Sequence, residues 1–274
     1  MKHITDGKIL NNGINMPWFG LGTFRAAGTE VANAVSTALE IGYRSIDTAA
    51  VYGNEEEVGQ SIAASGVARD SLFVTTKVWN EDQGFDTTLR AFETSSKKLG
   101  LDFIDLYLIH WPGKDKYKET WRALERLHSE GRVRAIGVSN FQIHHLEELL
   151  KDSSTVPAVN QVELHPRFIQ KELHEYCAQH NIQIEAWAPL MKGRLQENEL
   201  LIEIAQKYGK TVAQVILRWG LQNEIVIIPK SVTASRIKEN SEIFDFELSQ
   251  DEVNAVSGLD AGERIGTDPD KLLF

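Results

Sequence analysis

The sequence holds one cysteine, Cys177, among 274 residues, so no intramolecular disulfide can form and nothing marks an oxidising compartment. It also lacks any run of about 18 apolar residues, the length that spans a bilayer. Its first residues, MKHITDGKILNNG, carry no apolar stretch of the signal-peptide kind. A cytoplasmic location without a membrane partner is the expectation. Excess positive charge is missing too: 29 Lys and Arg stand against 39 Asp and Glu, a formal net charge of −10. Such a chain is poorly suited to nucleic acid or anionic lipid, and an anionic cofactor would need a local cluster of cations. Linkers rich in Pro, Gly or Ser, low-complexity runs and longer sequence repeats are likewise absent.

What is present is alternation. Hydrophobic residues make up 42% of the chain and charged residues 25%, enough for an ordinary globular core. Short β-branched or apolar runs at 18–21, 44–46, 72–76, 103–109, 133–138, 156–162, 182–186 and 225–228 predict eight strands, several apolar throughout, as in a parallel sheet covered on both faces. Between them, helical periodicity covers 30–41, 55–64, 87–99, 119–129, 144–150 and 170–180. The gap before the last strand holds two helical segments, 197–208 and 212–222, parted by Gly209-Lys210-Thr211. Length alone permits one barrel or two smaller domains, but eight βα units suggest an α/β fold closed as a (β/α)₈ TIM barrel, one domain over 1–274 with two extra helices. The competing open dinucleotide-binding sheet requires a glycine fingerprint, and Gly20-Leu21-Gly22-Thr23-Phe24-Arg25 has Arg25 where the third Gly or Ala belongs. Asp6-Gly7 and Asn12-Gly13 are turn signals for an N-terminal β-hairpin plugging the barrel.

Barrel enzymes carry their chemistry at the C-terminal strand ends. The second predicted strand ends at Asp47 in DTAAVYGNEEEVG, which also holds Tyr52. The third ends at Lys77 in VTTKVWN and the fourth at His110 in YLIHWP. Taken singly, each has a structural reading: Asp47 and Lys77 as an ion pair, Tyr52 as a surface loop residue, His110 as a histidine bonded to backbone. Four titratable groups of four kinds at one mouth favour catalysis. Among them Tyr is a reluctant acid at its ordinary pKa of about 10. A Lys77 ammonium, kept charged by Asp47, would favour the tyrosinate, and a neutral His110 would orient the substrate oxygen.

These motifs, with GLGT at 20–23, GVSNF at 137–141, NQVELHP at 160–166 and IPKSVTASRIKEN at 228–240, resemble the aldo-keto reductases over nearly the whole chain. The resemblance implies Tyr52, Asp47, Lys77 and His110 as the catalytic tetrad, NADPH (NADP+) as cofactor, a small carbonyl substrate, no metal and a monomer. It places the cofactor along Gly22, Thr23, Asp47, Ser139, Asn140, Gln161, Trp187, Pro189 and Leu190. Trp187 stands where the family often has Tyr, and would stack on the nicotinamide. Lys230, Ser231, Val232, Thr233, Arg236, Glu239 and Asn240 open a helix suited to a 2′-phosphate. Phe24, Trp79, His110 and Trp111 are the implied substrate contacts. A short Trp111 to Thr120 connection and a short tail after Leu259 imply an open site, as in the prokaryotic branch that includes diketogluconate and glyoxal or methylglyoxal reductases.

Other clusters are less promising. His174, Cys177 and His180 spread around and along a helix and are expected not to converge on a metal, and the adjacent His144 and His145 are expected to point different ways. Two rival functions stand beside reduction: a Schiff-base aldolase using Lys77, and an NADPH-binding sensor or subunit on the same fold.

Overall fold

The computed structural model describes residues 1–271. β1 (Gly7–Ile9) and β2 (Asn15–Pro17) form an antiparallel hairpin. Eight parallel strands follow: β3 (Leu21–Gly22), β4 (Ser45–Asp47), β5 (Phe73–Val78), β6 (Ile104–Ile109), β7 (Val133–Ser139), β8 (Val159–Glu163), β9 (Gln183–Trp187) and β10 (Val226–Ile227). Each lies beside the next in chain order, and bridges from Phe19 to Ile227 and from Gly22 to Lys230 join the last to the first. The result is the expected (β/α)₈ barrel. Its helices are α1 (Gly28–Ile41), α2 (Glu55–Ala64), α3 (Phe85–Leu99), α4 (Tyr117–Ser129), α5 (Ile143–Asp152), α6 (Lys171–Gln179), α7 (Glu199–Tyr208), α8 (Val212–Gln222), α9 (Ala234–Ser241) and α10 (Gln250–Ser257). The two beyond eight are α7, inserted before α8, and α10, after α9.

Local chemistry explains the boundaries. The break at 209–211 works because Gly209, at φ 63°, ends α7 in the left-handed region, and Thr211 forms a capping box with Gln214 to start α8. Strands β5 and β6 are buried along their whole length, as their unbroken apolar runs require. The first and eighth barrel strands are shorter than the apolar runs predict, and backbone hydrogen bonds from Ile227 to Trp18, Gly20 to Ile227 and Gly22 to Pro229 close the seam between them. There Gly22 is needed for close approach: a Cβ on it would lie 2.9 Å from the Ile228 carbonyl oxygen.

The hairpin covers the N-terminal end of the barrel. Asn12 Nδ2 donates to the Arg134 carbonyl at 2.9 Å and Asn11 Nδ2 to that of Pro157 at 3.1 Å, both at the starts of strands. The opposite, C-terminal mouth is thereby left for chemistry. No helix among the described residues is long and apolar enough to cross a membrane.

Candidate active site

Asp47, the last residue of β4, and Lys77, near the end of β5, form a salt bridge inside the barrel. Lys77 is fully buried and Asp47 is 3% exposed. Lys77 Nζ donates to Asp47 Oδ1 at 2.7 Å and Oδ2 at 2.9 Å, and to the Thr48 carbonyl at 2.8 Å. Burial works to neutralise the lysine, but the Asp47 charge, with Tyr52 and Glu185, overrides it and holds the Lys77 pKa above its ordinary value. The amine therefore stays an ammonium.

Tyr52 follows on a short 3₁₀ turn, Ala50–Tyr52, and its ring centroid lies 5.2 Å from Lys77 Nζ. The turn is held by Asn54, which the sequence reading passed over. Its Nδ2 donates to the Thr23 and Ala26 carbonyls at 3.1 and 2.9 Å, while its Oδ1 accepts from Thr48 Oγ1 at 2.6 Å. Burial pushes the Tyr52 phenol above its ordinary pKa; Lys77 pulls it down, and Asp47 and Glu185 oppose that pull. The net direction is upward, so the expected lysine effect is present but outweighed. The phenol is protonated at neutral pH.

His110, at the end of β6, completes the group, with its ring centroid 5.7 Å from that of Tyr52. Burial, reinforced by the Lys77 charge, holds its pKa well below the ordinary histidine value, so the ring is neutral. Nδ1 is buried without a partner. An orphaned acceptor costs less than an orphaned N–H, so the ring proton belongs on Nε2, the nitrogen left to donate to a substrate. Phe24, Trp79 and Trp111 also gather here. Phe24 is 5.0 Å from Tyr52, and Trp79 and Trp111 are 5.2 and 6.5 Å from His110, centroid to centroid. Half of Phe24 is exposed.

Beside the tetrad, β7, β8 and β9 bring Ser139, Asn140, Gln161 and Trp187 together. Ser139 Oγ donates to the Gln161 carbonyl at 2.8 Å, and Asn140 Nδ2 to the His110 carbonyl at 2.9 Å and Ser139 Oγ at 3.1 Å. Trp187 Nε1 donates to Asn140 Oδ1 at 2.8 Å. Gln161 Nε2 donates to Asp47 Oδ2 at 2.8 Å and to Glu185 Oε2 at 2.7 Å. Glu185 was not foreseen; a charge inside the apolar run of β9 was its only signal. Burial, with the Asp47 charge, pushes its carboxyl up to about 8.

Thr23 ties the seam to the site, donating from its N–H and its hydroxyl to the Asp47 carbonyl at 3.0 and 2.9 Å. Past Trp187, Ala188, Met191 and Lys192 hold left-handed backbone around Pro189 and Leu190. Across the seam, Lys230 and Arg236 flank the start of α9, whose N-cap Thr233 makes no side-chain cap. Among the described residues, neither cation has an ion pair or a side-chain hydrogen bond. Two unpaired cations beside uncapped helical N–H groups fit a phosphate. Ser231 Oγ accepts from Thr233 N at 3.1 Å, Val232 is half-buried, and Asn240 is buried below. Glu239 instead turns toward α8, accepting from Thr211 Oγ1 at 3.0 Å.

Beyond Tyr52 and Glu239, two further expectations change in the structure. The tail after Leu259, though short, lies along the mouth. Glu163, at the end of β8, accepts the N–H groups of Ile265 and Gly266, the latter at 2.9 Å, and a Cβ on Gly266 would collide with the Trp187 ring. His144 and His145 do not point apart: their ring centroids are 3.9 Å apart and both Nε2 atoms approach Asp270 Oδ1, at 3.1 and 3.6 Å. They sit in the first turn of α5, where His145 Nδ1 accepts the Gln142 N–H and turns its ring back over the helix start. That bond puts the His145 proton on Nε2, the atom a metal would need. His174, Cys177 and His180 form no metal-type cluster among the described residues, and burial pushes the Cys177 thiol up to about 12.

Tyr52, Lys77, Asp47 and His110 thus meet at the C-terminal mouth of the barrel, the end where barrel enzymes carry their chemistry. The Aldo/keto reductase family model matches residues 19–261, and the chain belongs to that family. It is 62% identical to a glyoxal reductase of Bacillus subtilis (strain 168), over 97% of this chain and 96% of that protein. Identity to the methylglyoxal reductase DkgA of Yersinia pestis is 49%, over 95% of each chain. The crystal structure of a Gox0644 mutant in complex with NADPH superposes with a TM-score of 0.94 at 44% identity, covering 98% of both chains.

Proposed function

We propose that the chain is an NADPH-dependent reductase of small aldehydes and ketones, with glyoxal and methylglyoxal as the leading substrates, working as a single-domain cytoplasmic monomer. The observation that carries the reading is the protonated Tyr52 phenol set between a buried Lys77–Asp47 pair and a neutral His110. NADPH, when bound, supplies the hydride. The residues do the rest: His110 Nε2 donates to the carbonyl oxygen and orients it, and Tyr52 Oη gives its proton to that oxygen as negative charge develops. Lys77 stabilises the tyrosinate left behind, and Asp47 keeps Lys77 charged. Ser139, Asn140, Gln161 and Trp187 are the proposed carboxamide and ring contacts. Phe24, Trp79 and Trp111 form an apolar rim matched to a small carbonyl. Glyoxal and methylglyoxal activity enters through the relatives that carry those names. Oxidation of NADPH followed by its absorbance against glyoxal, methylglyoxal, aromatic aldehydes, keto-sugars and ketosteroids tests it. Dicarbonyls should lead in kcat/KM, and no turnover with any carbonyl would favour a sensor or subunit instead.

The unpaired Lys230 and Arg236 support NADPH over NADH, since only the 2′-phosphate distinguishes the two. Arg236→Ala is expected to weaken NADPH binding by about 1.5–3 kcal/mol, the range for a charge-assisted hydrogen bond, and to leave NADH binding nearly unchanged. Titration of both cofactors by tryptophan quenching checks this. Equal losses for the two would remove the segment from the phosphate site. An aldolase role for Lys77 is disfavoured, because its ammonium is buried, charged and bonded to Asp47 and Thr48.

A further inference from the structure

Glu163 ends β8 as a carboxylate only 1% exposed, and the proposed reduction gives it no task. Its oxygens are taken by backbone. Oε1 accepts the Ile265 N–H at 2.6 Å and Oε2 the Gly266 N–H at 2.9 Å, so two successive amides of the tail point at one side chain. His165 is fully buried with Nδ1 left without a partner, which places its ring proton on Nε2, donated to Oε1 at 3.1 Å. Burial works to raise the Glu163 pKa, but these three donors outweigh it and hold the carboxyl below its ordinary value. The tail is therefore fastened by charge-assisted hydrogen bonds. The loop between β8 and α6 adds to the same cradle. The Arg167 carbonyl accepts the N–H groups of Ala261 and Glu263 at 3.2 and 2.9 Å, and Arg264 lies over the Phe168 ring, 4.5 Å from its centroid.

What this fastening presents to the mouth is Gly266. A Cβ there would collide with Trp187 Cη2, stand 3.2 Å from Cζ3, and come within 2.8 Å of Glu163 Oε2. Those ring atoms form the edge of the indole remote from Nε1, and Nε1 itself is tied to Asn140 Oδ1 at 2.8 Å. The half-buried indole is thus tied at one edge and stopped at the other. A single hydrogen bond leaves a ring free to pivot about it; a hard contact across the ring removes that freedom.

We propose that Glu163 is a positioning residue for the cofactor: by fastening the tail it sets Gly266 against the far edge of Trp187 and fixes the plane on which the nicotinamide stacks. Glu163 and Gly266 act through Trp187 and touch no reacting atom. The inference rests on the cofactor reading above, in which Trp187 carries the nicotinamide, and adds the part of the chain that holds that ring in place.

Calorimetric titration with NADP+ and with 2′,5′-ADP, which lacks the nicotinamide half, tests it. Gly266→Ala sets a methyl group against the ring edge and is expected to weaken NADP+ binding roughly 5- to 100-fold, the range for overpacking, with 2′,5′-ADP kept within about twofold. Glu163→Gln turns an NH₂ group toward one of the two tail amides and should weaken NADP+ by about three- to tenfold, again sparing 2′,5′-ADP. In a Trp187→Ala background, Gly266→Ala should cost NADP+ no more than about twofold further, because the ring it acts through is gone. If the glutamine variant does not fold, hydrogen exchange in the wild type decides the role of Glu163. The Ile265 and Gly266 amides should exchange more slowly than those of Arg264 and Thr267, which have no acceptor among the described residues. Unchanged NADP+ affinity in Gly266→Ala or in folded Glu163→Gln would overturn the proposal, as would absence of that protection. So would an equal loss of 2′,5′-ADP affinity, which marks general damage, or a Gly266→Ala effect undiminished without Trp187. Wild-type protein that binds neither NADP+ nor 2′,5′-ADP would remove the cofactor reading itself, a distinguishable result.

Discussion

Tyr52→Phe is expected to lower kcat for carbonyl reduction by roughly 100- to 10,000-fold, the usual contribution of a positioned general acid. The substitution deletes one oxygen and keeps the ring that packs on Phe24 and His110. Affinity for NADPH should stay within about threefold, since the phenol donates to the substrate oxygen and not to the cofactor. Comparing single-turnover rates with cofactor titrations separates the two quantities. Loss of cofactor affinity in proportion to the loss of rate would make Tyr52 a structural residue, and retained turnover would move the proton to His110. The raised Tyr52 pKa adds a sign: the acid form persists as pH climbs past neutrality, so Tyr52 titration should cause no fall in reduction rate between about pH 7 and 9.

Lys77→Met should be costly in a second way. Methionine matches the length of the buried stem, but it leaves Asp47 with a negative charge inside the barrel and, among the described residues, only Gln161 as side-chain donor. Removing one partner of a buried pair costs about 3–5 kcal/mol, whereas replacing both with neutral groups approaches neutrality. Chemical denaturation should show a deficit of that size in Lys77→Met and most of it restored in Lys77→Met with Asp47→Asn. Activity should remain low in both, because neither stabilises the tyrosinate. A single-variant deficit below about 1 kcal/mol would mean that water or protonation of Asp47 relieves the charge. The same chemistry predicts no borohydride-trapped adduct at Lys77 in the wild type, since an ammonium held by Asp47 and the Thr48 carbonyl is not a nucleophile.

The fold was legible because its signals are local and repeated. Apolar runs of strand length alternating with helical periodicity demand a parallel sheet with covering helices, and Gly209 and Thr211 mark a helix break whatever surrounds them. The closing seam was less legible: the Gly20 N–H donates to the Ile227 carbonyl and the Gly22 N–H to that of Pro229, roughly two hundred residues away in the chain, contacts no local window contains. The pairing of His144 with His145 was misread for a related reason. Helical geometry separates adjacent residues in mid-helix, but a first-turn side chain can fold back to cap its own helix start, as His145 does for Gln142.

For the site, the residue types at strand ends and their order in the chain placed Asp47, Tyr52, Lys77 and His110 together before any coordinates. Each lies one short step from a strand whose direction the alternation imposes. Only the tertiary structure decided their protonation. Tyr52 beside an ammonium reads as a lowered pKa in sequence, yet burial outweighs Lys77 and the phenol rises, because desolvation depends on everything packed around it. The same holds for Glu185, Asn54 and the tail over Trp187. Their partners lie on other strands or loops, so their roles exist only once the barrel has closed and brought donors and acceptors within hydrogen-bonding distance.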